Sequence, residues 1–247
     1  MPSLGTGRSC RVLGVIPARW GSTRFPGKML ADLDGTPLIV QTYNNSLKAS
    51  SLDDVIVATD DERIQNAIEG VGGKTVMTSP ELPSGSDRVH AAIKDISADI
   101  IVNIQGDEPA LPPEVIDNAV ELLLADDDFD VTTAASPYNA SDTNDVNAVK
   151  VVLDSSHKAL YFSRSMIPFQ MENKSENCPL YLHIGLYVYR REVLRQFCSW
   201  PQPAIEKCEK LEQLRLLYNG INIGVVIADS FSSGIDTPAD LEKYLAK

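Results

Sequence analysis

No run in this chain reaches the roughly 18 consecutive apolar residues of a membrane span, and the N-terminus has no long apolar stretch of the secretory kind. A cytoplasmic protein without a membrane partner is therefore expected. Cysteine is scarce: Cys10, Cys178, Cys198 and Cys208 stand apart without a Cys-x-x-Cys pair, and the three histidines are not spaced to join them around a metal. Free thiols in a reducing compartment are expected, and no structural zinc site. Positive charge is also short, with 22 Lys and Arg against 34 Asp and Glu giving a net −12. That excludes nucleic acid as a general partner and argues against an anionic membrane surface. Internal repeats and low-complexity tracts are absent. What remains is ample core material, 43% hydrophobic residues in 247, enough for one large α/β domain or two small ones.

Against that acidic background one stretch stands out. Residues 12–17 are apolar and end at Pro17, as a central parallel strand covered on both faces would. The eleven residues from Ala18 to Lys28 then hold Arg19, Arg24 and Lys28 and no acid. A basic loop that follows Pro17 and holds Gly21, Pro26 and Gly27, at the carboxyl end of such a strand, can lay amides and positive charge along an anion such as a triphosphate. It is not a P-loop: five residues separate Gly21 from Gly27 where four are needed, and Met29 follows Lys28 where Ser or Thr should stand.

Hydrophobic periodicity and cap signals predict further strands over 54–59, 75–77, 99–104, 131–135, 182–189 and 221–228. Helices are predicted over 37–48, from a first turn holding the acids at 60–62 to about 69, after Ser84, over 114–125 and over 210–219. The acids at 60–62 read as helix capping. Ser84 or Ser86 can cap the helix that follows, and Thr237, Pro238 and Asp240 make a near capping box. From about 138 the pattern changes, predicting an inserted lobe to about 200 that lies on the same sheet and closes over the site, within a single domain of 1–247. On residues alone, Asp107 after the strand at 99–104 is either a turn acid or a magnesium ligand. His183 reads as a satisfied core histidine, and Glu212 and Gln213 as part of a solvated face.

The phrase at 17–28 resembles the Pro-Ala-Arg-x-x-Ser-Thr-Arg-x-Pro-Gly-Lys opening of the cytidylyltransferases that activate 3-deoxy-manno-octulosonate (Kdo), departing only afterwards, at Met29, where the family commonly has proline. Further phrases follow in the family's order: the Ser-Gly-Ser-Asp-Arg turn at 84–88, Val-Asn-Ile-Gln-Gly-Asp-Glu-Pro at 102–109, Leu-His-Ile-Gly-Leu-Tyr at 182–187, Leu-Glu-Gln-Leu-Arg at 211–215 and Asp-Thr-Pro-Ala-Asp at 236–240. The resemblance implies an α/β fold of the Rossmann-like nucleotidyltransferase kind, a mostly parallel mixed sheet with helices on both faces and an inserted lobe. It also implies magnesium-dependent transfer of CMP from CTP to Kdo, toward lipopolysaccharide.

By the same resemblance, Arg19 and Lys28 hold the triphosphate, and Pro17, Ala18, Ser84, Arg88 and Gln105 complete the CTP site. Asp107 and Asp236 hold Mg²⁺, while Arg24, Gln105, Arg164, His183, Tyr187, Glu212 and Gln213 receive the sugar acid. A homodimer is expected, with its contact near Tyr161, Phe162, Ile167 and Phe169. A sialic acid cytidylyltransferase would carry Gly-Gly-Ser-Lys in place of Trp20 to Arg24. A nucleotide-sugar glycosyltransferase would show Asp-x-Asp at Asp107. A catalytically dead regulator would be expected to have lost one of Arg19, Lys28, Asp107 or Asp236, and all four are present.

Overall fold

A computed structural model describes residues 10–21, 25–138, 145–169, 179–229 and 234–246. In chain order it begins with β1 (Val12–Ala18), a 3₁₀ turn at Lys28–Leu30, the short strands β2 (Asp32–Leu33) and β3 (Thr36–Pro37), α1 (Leu38–Ser46), β4 (Asp54–Thr59), α2 (Glu62–Glu69) and β5 (Lys74–Met77). Next come α3 (Gly85–Ala92), β6 (Ile100–Asn103), α4 (Pro113–Ala125), β7 (Val131–Pro137), β8 (Lys150–Leu153), β9 (Ala159–Ser163) and β10 (Tyr181–Arg190). The chain closes with α5 (Arg191–Ser199), α6 (Ala204–Glu209), α7 (Leu214–Tyr218), β11 (Ile223–Ile227) and α8 (Pro238–Leu245).

Seven strands lie in the order β11-β7-β10-β6-β1-β4-β5, and β8 and β9 extend from the start of β10. β10 runs antiparallel to both its neighbours, while β1 is parallel to β4 and β6, β4 to β5, and β11 to β7. Alternation along β1 feeds two cores. Val12 and Ile16 face α1, α2 and α4, whereas Leu13 and Val15 face α3, α5 and α7. The sheet is thus the mixed, mostly parallel one expected, with helices on both faces.

Within 138–200 the β8–β9 hairpin projects from the sheet, while β10 lies inside it, paired with β7 along most of its length and with β6 over Tyr187–Arg190. Two expectations are corrected. The helix expected over 210–219 begins only at Leu214, because Lys210 takes a left-handed conformation, φ 53°, that ends α6. The bidentate, fully buried pair of Arg215 with Glu206, at 2.8 and 2.6 Å, then joins α6 to α7. Phe162, expected at a subunit contact, is wholly buried under the sheet, since β9 turns it inward and leaves Leu160 and Tyr161 outside.

Candidate active site

β1 and β6 are parallel neighbours, so the basic stretch and the Gln105–Glu108 turn leave the sheet at one edge. There Lys28, buried at the start of its 3₁₀ turn, donates from Nζ to Asp107 Oδ2 at 2.5 Å and to Asp236 Oδ1 at 3.1 Å. Asp236 reaches this point because the Ile235 N–H donates to the Asp107 carbonyl at 2.9 Å. The α8 capping box fixes it from the other side, with Asp240 Oδ2 accepting from the backbone N–H groups of Asp236 and Thr237 at 3.2 and 2.9 Å. Gly234 is needed for the approach, since a Cβ there would stand 3.0 Å from the Asp107 carbonyl oxygen.

Two carboxylates therefore converge on one cation, the ammonium of Lys28. The donors are oxygen only, as a hard ion such as Mg²⁺ prefers. Among the described residues no group of three or more His, Cys, Asp or Glu side chains could hold a metal. The fit is thus to an ion that takes one or two carboxylates and completes its shell with phosphate oxygens and water.

The cleft around these groups measures about 360 Å³ and is also lined by Pro17, Arg19, Ser84, Arg88 and Gln105. Ala18 is not in it, because its side chain is buried in the core. Arg19 is exposed. Ser84 caps α3, accepting from the Asp87 N–H at 3.1 Å. The Arg88 guanidinium, 3% exposed, spans Thr78 Oγ1 at 2.5 Å and Asp60 Oδ2 at 2.9 Å. Arg88 thus ties α3 to the ends of β4 and β5 from within the lining of the cleft.

A sequence profile of the family described as cytidylyltransferase matches residues 13–223. The 3-deoxy-manno-octulosonate cytidylyltransferase of Bdellovibrio bacteriovorus is 48% identical over 236 residues, covering 94% of this chain and 96% of its own. That of Leptospira interrogans is 45% identical over 234 residues, covering 94% of each. The chain belongs to the 3-deoxy-manno-octulosonate cytidylyltransferase family. A solved CMP:2-keto-3-deoxy-manno-octonic acid synthetase complexed with CTP is similar at TM-score 0.91 and 39% identity, over 96% of this chain and 97% of that one. A 4-diphosphocytidyl-2C-methyl-D-erythritol synthase from Anaerococcus prevotii, at 13% identity and TM-score 0.64 over 96% and 95% of the two chains, shares the fold alone.

In this chain the residues expected on the sugar side divide. His183 packs edge-on against Phe162, centroids 5.0 Å apart, and lies 5.4 Å from the Tyr187 ring, with Nε2 3.0 Å from Thr133 Oγ1. Burial pushes its pKa down to about 3, so the ring is neutral at pH 7. The Tyr187 hydroxyl is buried without a partner, and burial raises its pKa. Gln105 abuts β10 where its register shifts, since a Cβ on Gly185 would meet Gln105 Cγ at 3.0 Å. Bulges of this kind re-aim side chains beside active sites.

Glu212 and Gln213 are not on a solvated face. Gln213 is 4% exposed. Glu212 takes the Ser86 hydroxyl on Oε1 at 3.1 Å, and burial raises its pKa while Oε2 has no partner. It lines a second cavity, of about 480 Å³, that meets the first at Ser84. Arg164 is held by backbone carbonyls. Its nitrogens donate to the carbonyls of Glu209 at 2.7 Å, Val146 at 2.8 Å and Lys210 at 3.3 Å, which fastens the β9 end to the turn before Leu211. Arg24 lies outside the described residues.

Sequence reasoning missed Glu108. Its carboxyl is held near pKa 8 by burial first and then by the charge of Asp107 beside it, with the Gly185 N–H donating to it and Oε2 unpartnered. The signal was present as two adjacent acids behind a buried strand, which cannot both ionise cheaply. Ser86, which joins α3 to Glu212, carried no signal beyond capping.

Proposed function

We propose that this chain transfers CMP from CTP to the anomeric hydroxyl of Kdo, a new P–O bond forming at the α-phosphorus as the bond to the β-phosphate breaks and pyrophosphate leaves. The convergence of Lys28, Asp107 and Asp236 beside Arg19, in a chain of this family, carries the reading. Nucleotidyl transfer needs positioning and charge neutralisation more than an acid–base pair. Arg19 and Lys28 set positive charge along the triphosphate, and Ser84 stands between the cleft and the second cavity. Gln105, His183, Tyr187, Glu212 and Gln213 bound the sugar side, and Arg24 meets the Kdo carboxylate. Magnesium held by Asp107 and Asp236 supplies neutralisation at the reacting phosphates.

The product serves lipopolysaccharide biosynthesis in the cytoplasm. Among the described residues no helix is long and apolar enough to cross a membrane. A homodimer is part of the proposal, with Phe169, Leu160 and Tyr161, 80%, 54% and 37% exposed, as the apolar contact in place of the buried Phe162. Pyrophosphate release from CTP with magnesium tests the activity: release with Kdo, and little with sialic acid or with ATP, GTP or UTP in place of CTP, is expected. Equal release with sialic acid would overturn the sugar assignment.

A further inference from the structure

We propose that the turn entering α2 is a bracket for the basic stretch, in which Asp60 and Arg63 hold Trp20, and Trp20 fixes how far apart Arg19 and Lys28 stand. This rests on reading those two cations as the partners of the triphosphate. The Trp20 N–H donates to Asp60 Oδ1 at 3.0 Å, and the other oxygen of that carboxylate takes Arg88 at 2.9 Å. Asp60 is 10% exposed, so its two bonds are made away from competing water. The Arg63 guanidinium lies 3.3 Å from the centroid of the Trp20 ring. It is held there by Asp61, the N-cap of α2, through two bonds of 2.9 and 2.7 Å.

The far edge of the same indole rests on Gly27, where a Cβ would come within 2.9 Å of the ring and where φ is +69°. Trp20 follows Arg19 in sequence, and Gly27 precedes Lys28. One ring therefore spans the two ends of the stretch. Trp20 falls on a variable position of the 17–28 phrase, and Asp60 and Arg63 belong to no phrase at all. Two cations that must meet one polyanion bind it more tightly when their separation is set beforehand, because less ordering is left to the binding step. Trp20 and Asp60 are thus positioning residues, acting through Arg19 and Lys28.

Equilibrium dialysis of CTP and of CMP, with magnesium, against wild type, Trp20→Ala, Trp20→Phe and Asp60→Asn tests this. CMP lacks the phosphates that the spaced cations would meet, so loss of the bracket acts on CTP selectively. Trp20→Ala is expected to weaken CTP by about threefold to thirtyfold, the range of an indole–guanidinium contact, with CMP changed by less than about twofold. Trp20→Phe should recover most of the loss, and Asp60→Asn should repeat it. Trp20 is only partly buried, so Trp20→Ala should melt close to wild type. Unchanged CTP affinity in Trp20→Ala, or equal losses for CTP and CMP, would overturn the bracket alone. A wild type that binds CTP no better than CMP would overturn the triphosphate reading and the bracket with it.

Discussion

Replacing Lys28 with methionine keeps most of the bulk and removes the only cation seen between Asp107 and Asp236 in the described residues. The lysine side chain is 7% exposed and the two acids 25% and 44%. Removing one partner of a fully buried pair costs about 3–5 kcal/mol. Partial exposure of both acids lowers that to about 1–2 kcal/mol. In a domain of this size such a loss lowers Tm by about 2–8 °C. Magnesium should reverse it, because the point between the carboxylates is then open to the ion, and binding at a hundredfold excess over Kd stabilises by about 2.7 kcal/mol. The wild type should gain less, since the ion must first displace the ammonium. Melts of both proteins with and without magnesium, in the absence of nucleotide, check this. A fall in Tm that magnesium does not reverse, or that potassium at equal ionic strength reverses as well, would refute the shared site.

Gly234→Ala places a methyl group 3.0 Å from the Asp107 carbonyl oxygen, so the Asp236 segment must shift; turnover is expected to fall at least tenfold with little change in Tm. Phe162→Ala is expected to cost about 3–5 kcal/mol in urea unfolding, as for other buried aromatics, whereas Phe169→Ala should leave stability alone and shift light scattering toward the monomer mass. For His183 the unfolded ring protonates near 6.5 and the native ring near 3, so stability falls as pH drops through that window. His183→Gln should flatten the profile there by one proton's worth of slope; an unchanged slope would mean that the ring is charged in the fold.

The strands β1, β4 and β6 were legible because each is a short, nearly unbroken apolar run, and burial on both faces leaves no other pattern open to them. The cap at Thr237 was equally plain, since capping is decided within four residues, and of the two serines open before α3 it is Ser84 that caps. β10 was legible as a strand but its place in the sheet was not, because its pairing with β6 and β7 is fixed by partners far away in sequence. α5 went unseen: Val193, Leu194 and Phe197 make its buried stripe, but the other positions are largely polar, and it follows β10 without a break.

Within the site, the basic stretch, Asp107 and Asp236 were legible from the phrases they sit in. The partners of Arg88 and Arg164 within the fold were not, because a guanidinium takes its bonds from whatever distant segments surround it. The Asp60 and Thr78 oxygens claim the first, and backbone carbonyls claim the second. Asp60 read as a capping acid, but Asp61 caps α2 and Asp60 turns instead to Trp20 and Arg88.

The metal assignment separates Asp107 from the other acids of the chain, and kcat at saturating magnesium tests it directly. Asp107→Asn keeps size and hydrogen bonding but removes the charge that balances the ion, so turnover should fall by about 10²–10³ while the melt stays near wild type. Asp236→Asn should lose as much, since Thr237 and not Asp236 caps α8, and the double variant should be little worse than either single one because both acids act on one ion. Near-wild-type turnover in Asp107→Asn would contradict the metal site and the nucleotidyl-transfer chemistry built on it.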